Sequence, residues 1–133
     1  MSLKISLRPG EMVAVNGAVL TSIGRAEMLV EGQANILRGR DVMAPEEAVT
    51  PASRLYFSCM MAYIDPGHRV THQEHLAGFL EDLMSALQAP EARVACVRIA
   101  THAARGDYYK ALGECRRLMA YEQRLLEPQA MDA

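Results

Sequence analysis

The stretch Thr50–Pro66, with the sequence TPASRLYFSCMMAYIDP, predicts the helix around which the rest of the chain folds. Thr50 suits the N-cap, and Pro51 suits the first helical position, where its missing amide costs no hydrogen bond. Pro66 ends the helix because a proline disfavours helical geometry in the residue before it. Ser58 is the one polar residue in the segment 55–64. A helix of about fourteen residues that is apolar nearly all round is buried and too short to span a bilayer. We therefore expect it in the middle of one core.

The residues before this helix show the pattern of short strands. Leu3, Ile5 and Leu7 alternate with polar residues, which is the period of a strand with one solvated face. The segment Arg8–Glu11 contains Pro-Gly and predicts a turn, and Asn16-Gly17 is a strong signal for a two-residue hairpin. Residues 1–44 are therefore predicted to form an antiparallel β-meander of about five short strands, joined by loops too short for crossover helices.

The residues after the central helix are predicted to be helical. The segment Thr71–Glu74 matches a capping box, and apolar residues follow it at spacings of three and four. Pro90 and Asp107 mark the starts of two further helices. The predicted fold class is α+β, with the N-terminal meander packed on a C-terminal bundle of about four helices. We predict one domain over 1–133, consisting of a strand-rich half (1–44), a helical half (45–127) and a frayed tail (128–133).

Composition excludes several classes of protein. The chain has 133 residues, of which 50% are hydrophobic, so it can bury a packed core and disorder is not expected. The net charge of -2 argues against nucleic-acid binding by bulk charge. No apolar run is long enough for a signal peptide or a membrane span, so a cytoplasmic location is expected. Three cysteines without a C-x-x-C pair suit reduced thiols in the core.

Candidate catalytic and metal sites are weak. His68, His72 and His75 cluster in the segment HRVTHQEH, and two of them could share a helix face as metal ligands do. A solvated helix start explains the same residues better, since Glu74 is already assigned to the capping box. The chain has no nucleophile motif, phosphate-binding glycine loop or metalloprotease helix. We therefore predict no enzyme activity, no metal and no cofactor.

Arg25, Arg38 and Arg40 are the basic residues that could contact phosphate groups, as an RNA-binding function would require. They lie near the ends of predicted strands, and residues two apart in a strand point to one face, so Arg38 and Arg40 could reach phosphates together. The predicted strands contain no aromatic residue on which a base could stack. Solvated arginines at a turn are the competing interpretation.

The chain resembles the FlbT family of flagellin-synthesis regulators from alphaproteobacterial flagellar systems. The resemblance rests on the opening segment Leu3–Glu11 with Asn16–Val19, and on Pro45–Pro51 running into Arg54–Phe57 and ending at Asp65-Pro66. It implies a cytosolic post-transcriptional regulator that binds the 5′ untranslated region of flagellin mRNA and affects its translation and turnover. It also implies the small protein FlaF and flagellin as partners.

Two hypotheses remain open from the sequence. The first is direct RNA binding through the basic strand ends. The second is a protein-interaction adaptor, resembling a chaperone, with only indirect effects on RNA; the acidic, methionine-rich helical half favours it. Homo-oligomerisation is compatible with both.

Overall fold

The computed structural model describes residues 2–16 and 18–126, and it confirms the α+β class with strands first and helices after them. The strands are β1 (Ser2–Leu7), β2 (Met12–Val15), β3 (Ala18–Thr21), β4 (Ala26–Glu31) and β5 (Ile36–Arg38). The helices are α1 (Pro51–Ile64), α2 (Arg69–Ala86), α3 (Pro90–Ala104) and α4 (Tyr108–Leu126). Short 3-10 turns, Gly39–Asp41, Pro45–Glu47 and Pro66–His68, connect some of these elements. Gly17 and the predicted tail 128–133 lie outside the described residues.

The strands form two sheets, and most strands do not pair with the strand that follows them along the chain. β1 pairs with β4, and a separate sheet has the order β3-β2-β5, all antiparallel. Of these pairs, β2 and β3 alone follow each other directly along the chain. Strands alternate their side chains between two faces, so β2 sends Val13 to one side of its sheet and Ala14 to the other.

The three-stranded sheet lies between the two-stranded sheet and the helices. Ala14 and Leu37 are fully buried in the same cluster as the helical core. Val13, on the opposite face, forms a second cluster with Ile5 and Leu7 of β1. The molecule therefore has three layers, and the middle layer contributes to two hydrophobic cores.

Helix α1 occupies the position that its sequence predicts. The Thr50 hydroxyl accepts a hydrogen bond from the Ser53 amide at 3.2 Å, and the Thr50 amide donates to the Ser53 hydroxyl at 2.8 Å, so both ends of the cap are satisfied. The helix packs against α2 and α4, while α3 packs mainly against α4. Its buried apolar side chains are Ala52, Leu55, Tyr56, Cys59, Met60, Ala62 and Ile64.

The start of α2 differs from the prediction. The helix begins at Arg69, so Thr71 and Glu74 lie inside its first turns and the predicted capping box is wrong. The 3-10 turn Pro66–His68 leads directly into α2, and the Arg69 guanidinium donates to the Ala62 carbonyl at 2.9 Å. This hydrogen bond links the first residue of α2 to the last turn of α1.

Candidate anion-binding cleft

A cleft at the common end of β1, β4 and β5 holds three arginines. Its volume is about 810 Å³. We call it the arginine cleft. Its lining consists of Ser6, Leu7, Arg8, Pro9, Gly10, Glu11, Arg25, Ala26, Glu27 and Arg38.

Strand pairing brings two of the arginines together. Leu7 of β1 pairs with Ala26 of β4 at the last rung of their ladder. Arg8 and Arg25 are the next residues beyond that rung, and they leave the ladder at the same end. Both side chains are exposed, and within residues 2–16 and 18–126 neither has a carboxylate partner within ion-pair distance. Two exposed arginines at one end of the ladder, neither of them in an ion pair among the described residues, favour a local positive potential.

Arg38 is held in place on the third side of the cleft. Its Nη2 donates to the Ser6 carbonyl at 2.8 Å and lies 3.7 Å from Oε2 of Glu11. Glu11 is itself fixed by the turn, because its Oε1 accepts the Arg8 amide at 3.0 Å. Glu27, the other acid of the lining, is paired with Lys4 at 2.8 Å. The acids of the cleft are therefore engaged, while Arg8 and Arg25 are available.

Arg40 does not share this cleft. β5 ends at Arg38, and Gly39, with a φ of +57°, begins a 3-10 turn that redirects the chain. The strand periodicity that would place Arg38 and Arg40 on one face therefore stops one residue too early. Arg40 lines a different pocket, together with Asp41, Tyr56 and Arg116.

The structure thus brings together Arg25 and Arg38 of the predicted residues and adds Arg8, which sequence reasoning missed. The sequence pattern places Arg8 in a turn, whereas its neighbour in space is set by the long-range pairing of β1 with β4. The signal in the sequence is an arginine directly after a strand. That signal identifies the residue next to Arg8 in space only when the pairing of the strands is known.

Two of the clustered histidines, His68 and His72, lie beside one carboxylate. His72 Nε2 and His68 Nδ1 lie 3.0 and 3.2 Å from Oδ2 of Asp65, just beyond the end of α1. Hydrogen bonding from His72 and then from His68 lowers the pKa of Asp65. Across the described part of the chain, no group of three or more His, Cys, Asp or Glu side chains is arranged to hold a metal ion.

The cysteines and methionines of the helical half belong to the core. Cys59, Cys96 and Cys115 are buried, and both a hydrogen bond with Cys59 and burial raise the pKa of Cys115, so that its thiol stays protonated. Met60 is buried. Met61, Met84 and Met119 are partly buried against the same cluster. The described methionines of the helices thus fill the core and do not form an exposed methionine surface.

Taken together, the structure is that of a small α+β protein with three arginines in one cleft. No helix within the described ranges is both long enough and apolar enough to cross a membrane. A comparison with solved structures gives no match. The family model described as "Flagellar protein FlbT" matches residues 3–126, which is nearly the whole chain. The chain belongs to the FlbT family.

Relatives from three bacteria support this assignment. The chain is 39% identical over 127 residues to the "Probable flagellum biosynthesis repressor protein FlbT" of Caulobacter sp. strain K31, covering 95% of this chain and 97% of that protein. It is 38% identical to the "Flagellum biosynthesis repressor protein FlbT" of Caulobacter vibrioides, with 95% and 90% covered. A "Probable flagellum biosynthesis repressor protein FlbT 1" of Bradyrhizobium diazoefficiens is 35% identical, with 94% and 85% covered.

Proposed function

We propose that this protein is a post-transcriptional regulator of flagellin synthesis that binds the 5′ untranslated region of flagellin mRNA through the arginine cleft. Its relatives are named as repressors of flagellum biosynthesis, which supports a regulator of flagellar gene expression. The observation that carries the RNA-binding step is the pair Arg8 and Arg25, two exposed guanidinium groups without a carboxylate partner among the described residues, in one cleft with Arg38.

The chemistry of the cleft fits phosphate. A guanidinium group binds a phosphate through two parallel N–H donors, and two such groups at one strand end can hold one phosphate or two successive ones. Residues 1–44 contain no aromatic side chain, so this surface offers no platform for stacked bases. Binding then depends on the backbone and shape of the RNA, and the local potential outweighs the net charge of -2.

A salt series with a flagellin leader RNA tests this proposal. The double variant Arg8→Ala/Arg25→Ala is expected to bind more weakly, with a salt dependence shallower by roughly 0.7 per lost phosphate contact on single-stranded RNA. Arg40→Ala is the matched control, because its side chain is an exposed arginine that lies outside the arginine cleft. Equal affinity and equal slope for the parent and the double variant would refute direct binding at the cleft.

The second candidate function is a protein-interaction adaptor, with FlaF or flagellin as the partner. The observation that favours it is the exposure of Val94 and Val97 on α3, because apolar side chains on one exposed helix can dock a partner. In that case Val97→Asp should abolish capture of FlaF or flagellin, and the isolated parent protein should not bind the leader RNA directly. Retention of both partners by this variant would contradict the adaptor function at α3.

A further inference from the structure

Strand β3 is an open sheet edge with an unusual composition. The described strands present four open edges, at β1, β4, β3 and β5. Lys4 lies in β1, Glu27 and Glu31 lie in β4, and Arg38 lies in β5. β3 contains no charge, and the whole segment 12–24 around it has none. Charged residues and proline are the usual means by which an edge strand avoids pairing, and β3 has neither.

The side chains of β3 are apolar and exposed on both faces. Val19 is 52% exposed and Leu20 is 50% exposed, and Ile23 directly after the strand is 100% exposed. Val19 pairs with Ala14 and lies on the helix-facing side, while Leu20 pairs with Val13 and lies on the side of the two-stranded sheet. The edge therefore has an exposed apolar side chain on each of its two faces.

The backbone of the edge is also available. Ser22 uses both its amide and its carbonyl toward the neighbouring strand, since it donates to Glu11 at 2.9 Å and accepts from Gly10 at 2.6 Å. Antiparallel strands alternate inward and outward backbone groups, so Leu20 also bonds inward. The amides and carbonyls of Val19 and Thr21 consequently point away from the sheet.

We propose that β3 pairs antiparallel with β3 of a second copy of this chain about a two-fold axis at Leu20. Val19 of each copy then exchanges backbone hydrogen bonds with Thr21 of the other, which satisfies the outward groups of both residues. Leu20 of one copy lies directly opposite Leu20 of the other in a non-hydrogen-bonded pair, where side chains are closest. The two three-stranded sheets become one sheet of six strands, a common size.

The occupant is a second copy because the edge is self-complementary. A two-fold interface places the same patch of both subunits face to face, so any charge in it meets a like charge nearby. An uncharged strand has no such repulsion, and it offers no charged group to attract RNA or a charged peptide. This inference does not depend on the proposed RNA-binding function, since the arginine cleft and β3 have no residue in common.

A charge-swap experiment tests both the interface and its axis. The parent protein is expected to sediment as a dimer, while Leu20→Lys and Leu20→Glu each sediment as monomers, because two like charges would then face each other. An equimolar mixture of the two variants is expected to restore the dimer, since lysine then faces glutamate. Leu29→Lys is the matched control, because Leu29 is 65% exposed but lies on β4 of the other sheet; it is expected to remain a dimer.

A backbone variant gives an independent measurement. Val19→Pro removes an outward amide without touching a hydrogen bond to β2, so a folded monomer is expected. Circular dichroism and thermal melts of each variant confirm that the fold is intact. The proposal is overturned if the parent is a monomer at its highest soluble concentration, or if the folded Leu20→Lys or Val19→Pro variant remains a dimer. It is equally overturned if the mixture stays monomeric, or if Leu29→Lys dissociates the dimer.

Discussion

The guanidinium of Arg116 on α4 lies 2.7 Å from the carboxylate of Asp41, Nη2 to Oδ1, and links the end of the strand-rich half to the helical half. The same guanidinium donates to the hydroxyl of Tyr56 at 3.3 Å and lies over its ring at 5.6 Å from the centroid. The Tyr56 hydroxyl in turn donates to the backbone carbonyl of Asp41 at 2.6 Å. Asp41 of the 3-10 turn, Tyr56 of α1 and Arg116 of α4 thus contact one another.

We predict that Arg116→Gln lowers the free energy of unfolding by about 1–2 kcal/mol. The ion pair is partly solvated and contributes little alone, and the contact with the Tyr56 ring adds to it. Arg117→Gln is the matched control, since Arg117 is the next residue on α4, its side chain is 72% exposed and its contact with Glu114 is long, at 3.9 Å. Urea unfolding of both variants checks the prediction, and an equal loss in the two would contradict it.

The second prediction concerns the buried ring of α1. Tyr56 is 3% exposed, and burial raises its pKa to about 12, so it keeps its proton as a hydrogen-bond donor. Tyr56→Ala should cost about 3–5 kcal/mol of stability and Tyr56→Phe only about 0.5–1.5 kcal/mol, because the second change removes the hydroxyl alone. Phe57→Ala should cost less than Tyr56→Ala because Phe57 is only partly buried. Chemical denaturation orders the three variants, and a larger loss for Phe57→Ala would reverse the assignment of the core face.

The expectation that the helix Pro51–Ile64 lies in the middle of one core is confirmed, and the reason is local. Thr50, Pro51 and Pro66 bound α1 through their own backbone preferences, and the apolar run between them has no polar face to expose. The presence of five short strands was also predictable, since alternation and turn residues act within a few positions. Such signals do not depend on the rest of the fold.

The partners of these strands were not predictable in the same way. β1 skips two strands to pair with β4, and β2 lies between β3 and β5, because this arrangement buries Val13 and Ala14 on both faces of one sheet. That choice depends on long-range packing. The arginine cleft follows from this pairing, since the β1–β4 ladder places Arg8 and Arg25 at the same end of the sheet. The redirected backbone at Gly39 likewise removes Arg40 from the cleft.

The third prediction is an acid-dependent loss of stability at the junction of α1 and α2. Hydrogen bonds from His72 and His68 lower the folded-state pKa of Asp65, so its contribution is present above the unfolded pKa of about 4. This contribution to stability is lost as the pH falls through the lowered pKa that Asp65 has in the folded state. Asp65→Asn should therefore be less stable than the parent at neutral pH, and the difference should narrow below about pH 4.

Thermal melts across an acid pH series measure this difference. Asp82→Asn is the control, because Asp82 is an exposed carboxylate of α2 without an ion pair among the described residues. The stability difference between Asp82→Asn and the parent should not narrow below about pH 4. A constant difference between the parent and Asp65→Asn at every pH would show that the histidines do not stabilise the ionised carboxylate.

The last prediction concerns Asn16, which has a φ of +48° at the turn between β2 and β3. Its amide donates to the Asn35 carbonyl at 3.2 Å, and its side-chain oxygen accepts the Asn35 amide at 3.1 Å, so it also joins the hairpin to the approach to β5. Asn16→Val should cost about 1–3 kcal/mol in backbone strain, because a β-branched residue does not tolerate this φ. The lost side-chain acceptor adds to that cost.

Two further variants separate strain from hydrogen bonding at this position. Asn16→Gly relieves the strain and loses only the side-chain acceptor, so it should cost about 0.5–1.5 kcal/mol. Asn16→Asp tolerates positive φ and keeps an oxygen for the Asn35 amide, so it should stay close to the parent. Denaturant unfolding should order the stabilities as parent, Asn16→Asp, Asn16→Gly and Asn16→Val. If the valine and glycine variants unfolded together, the left-handed backbone at Asn16 would not be a constraint on the hairpin.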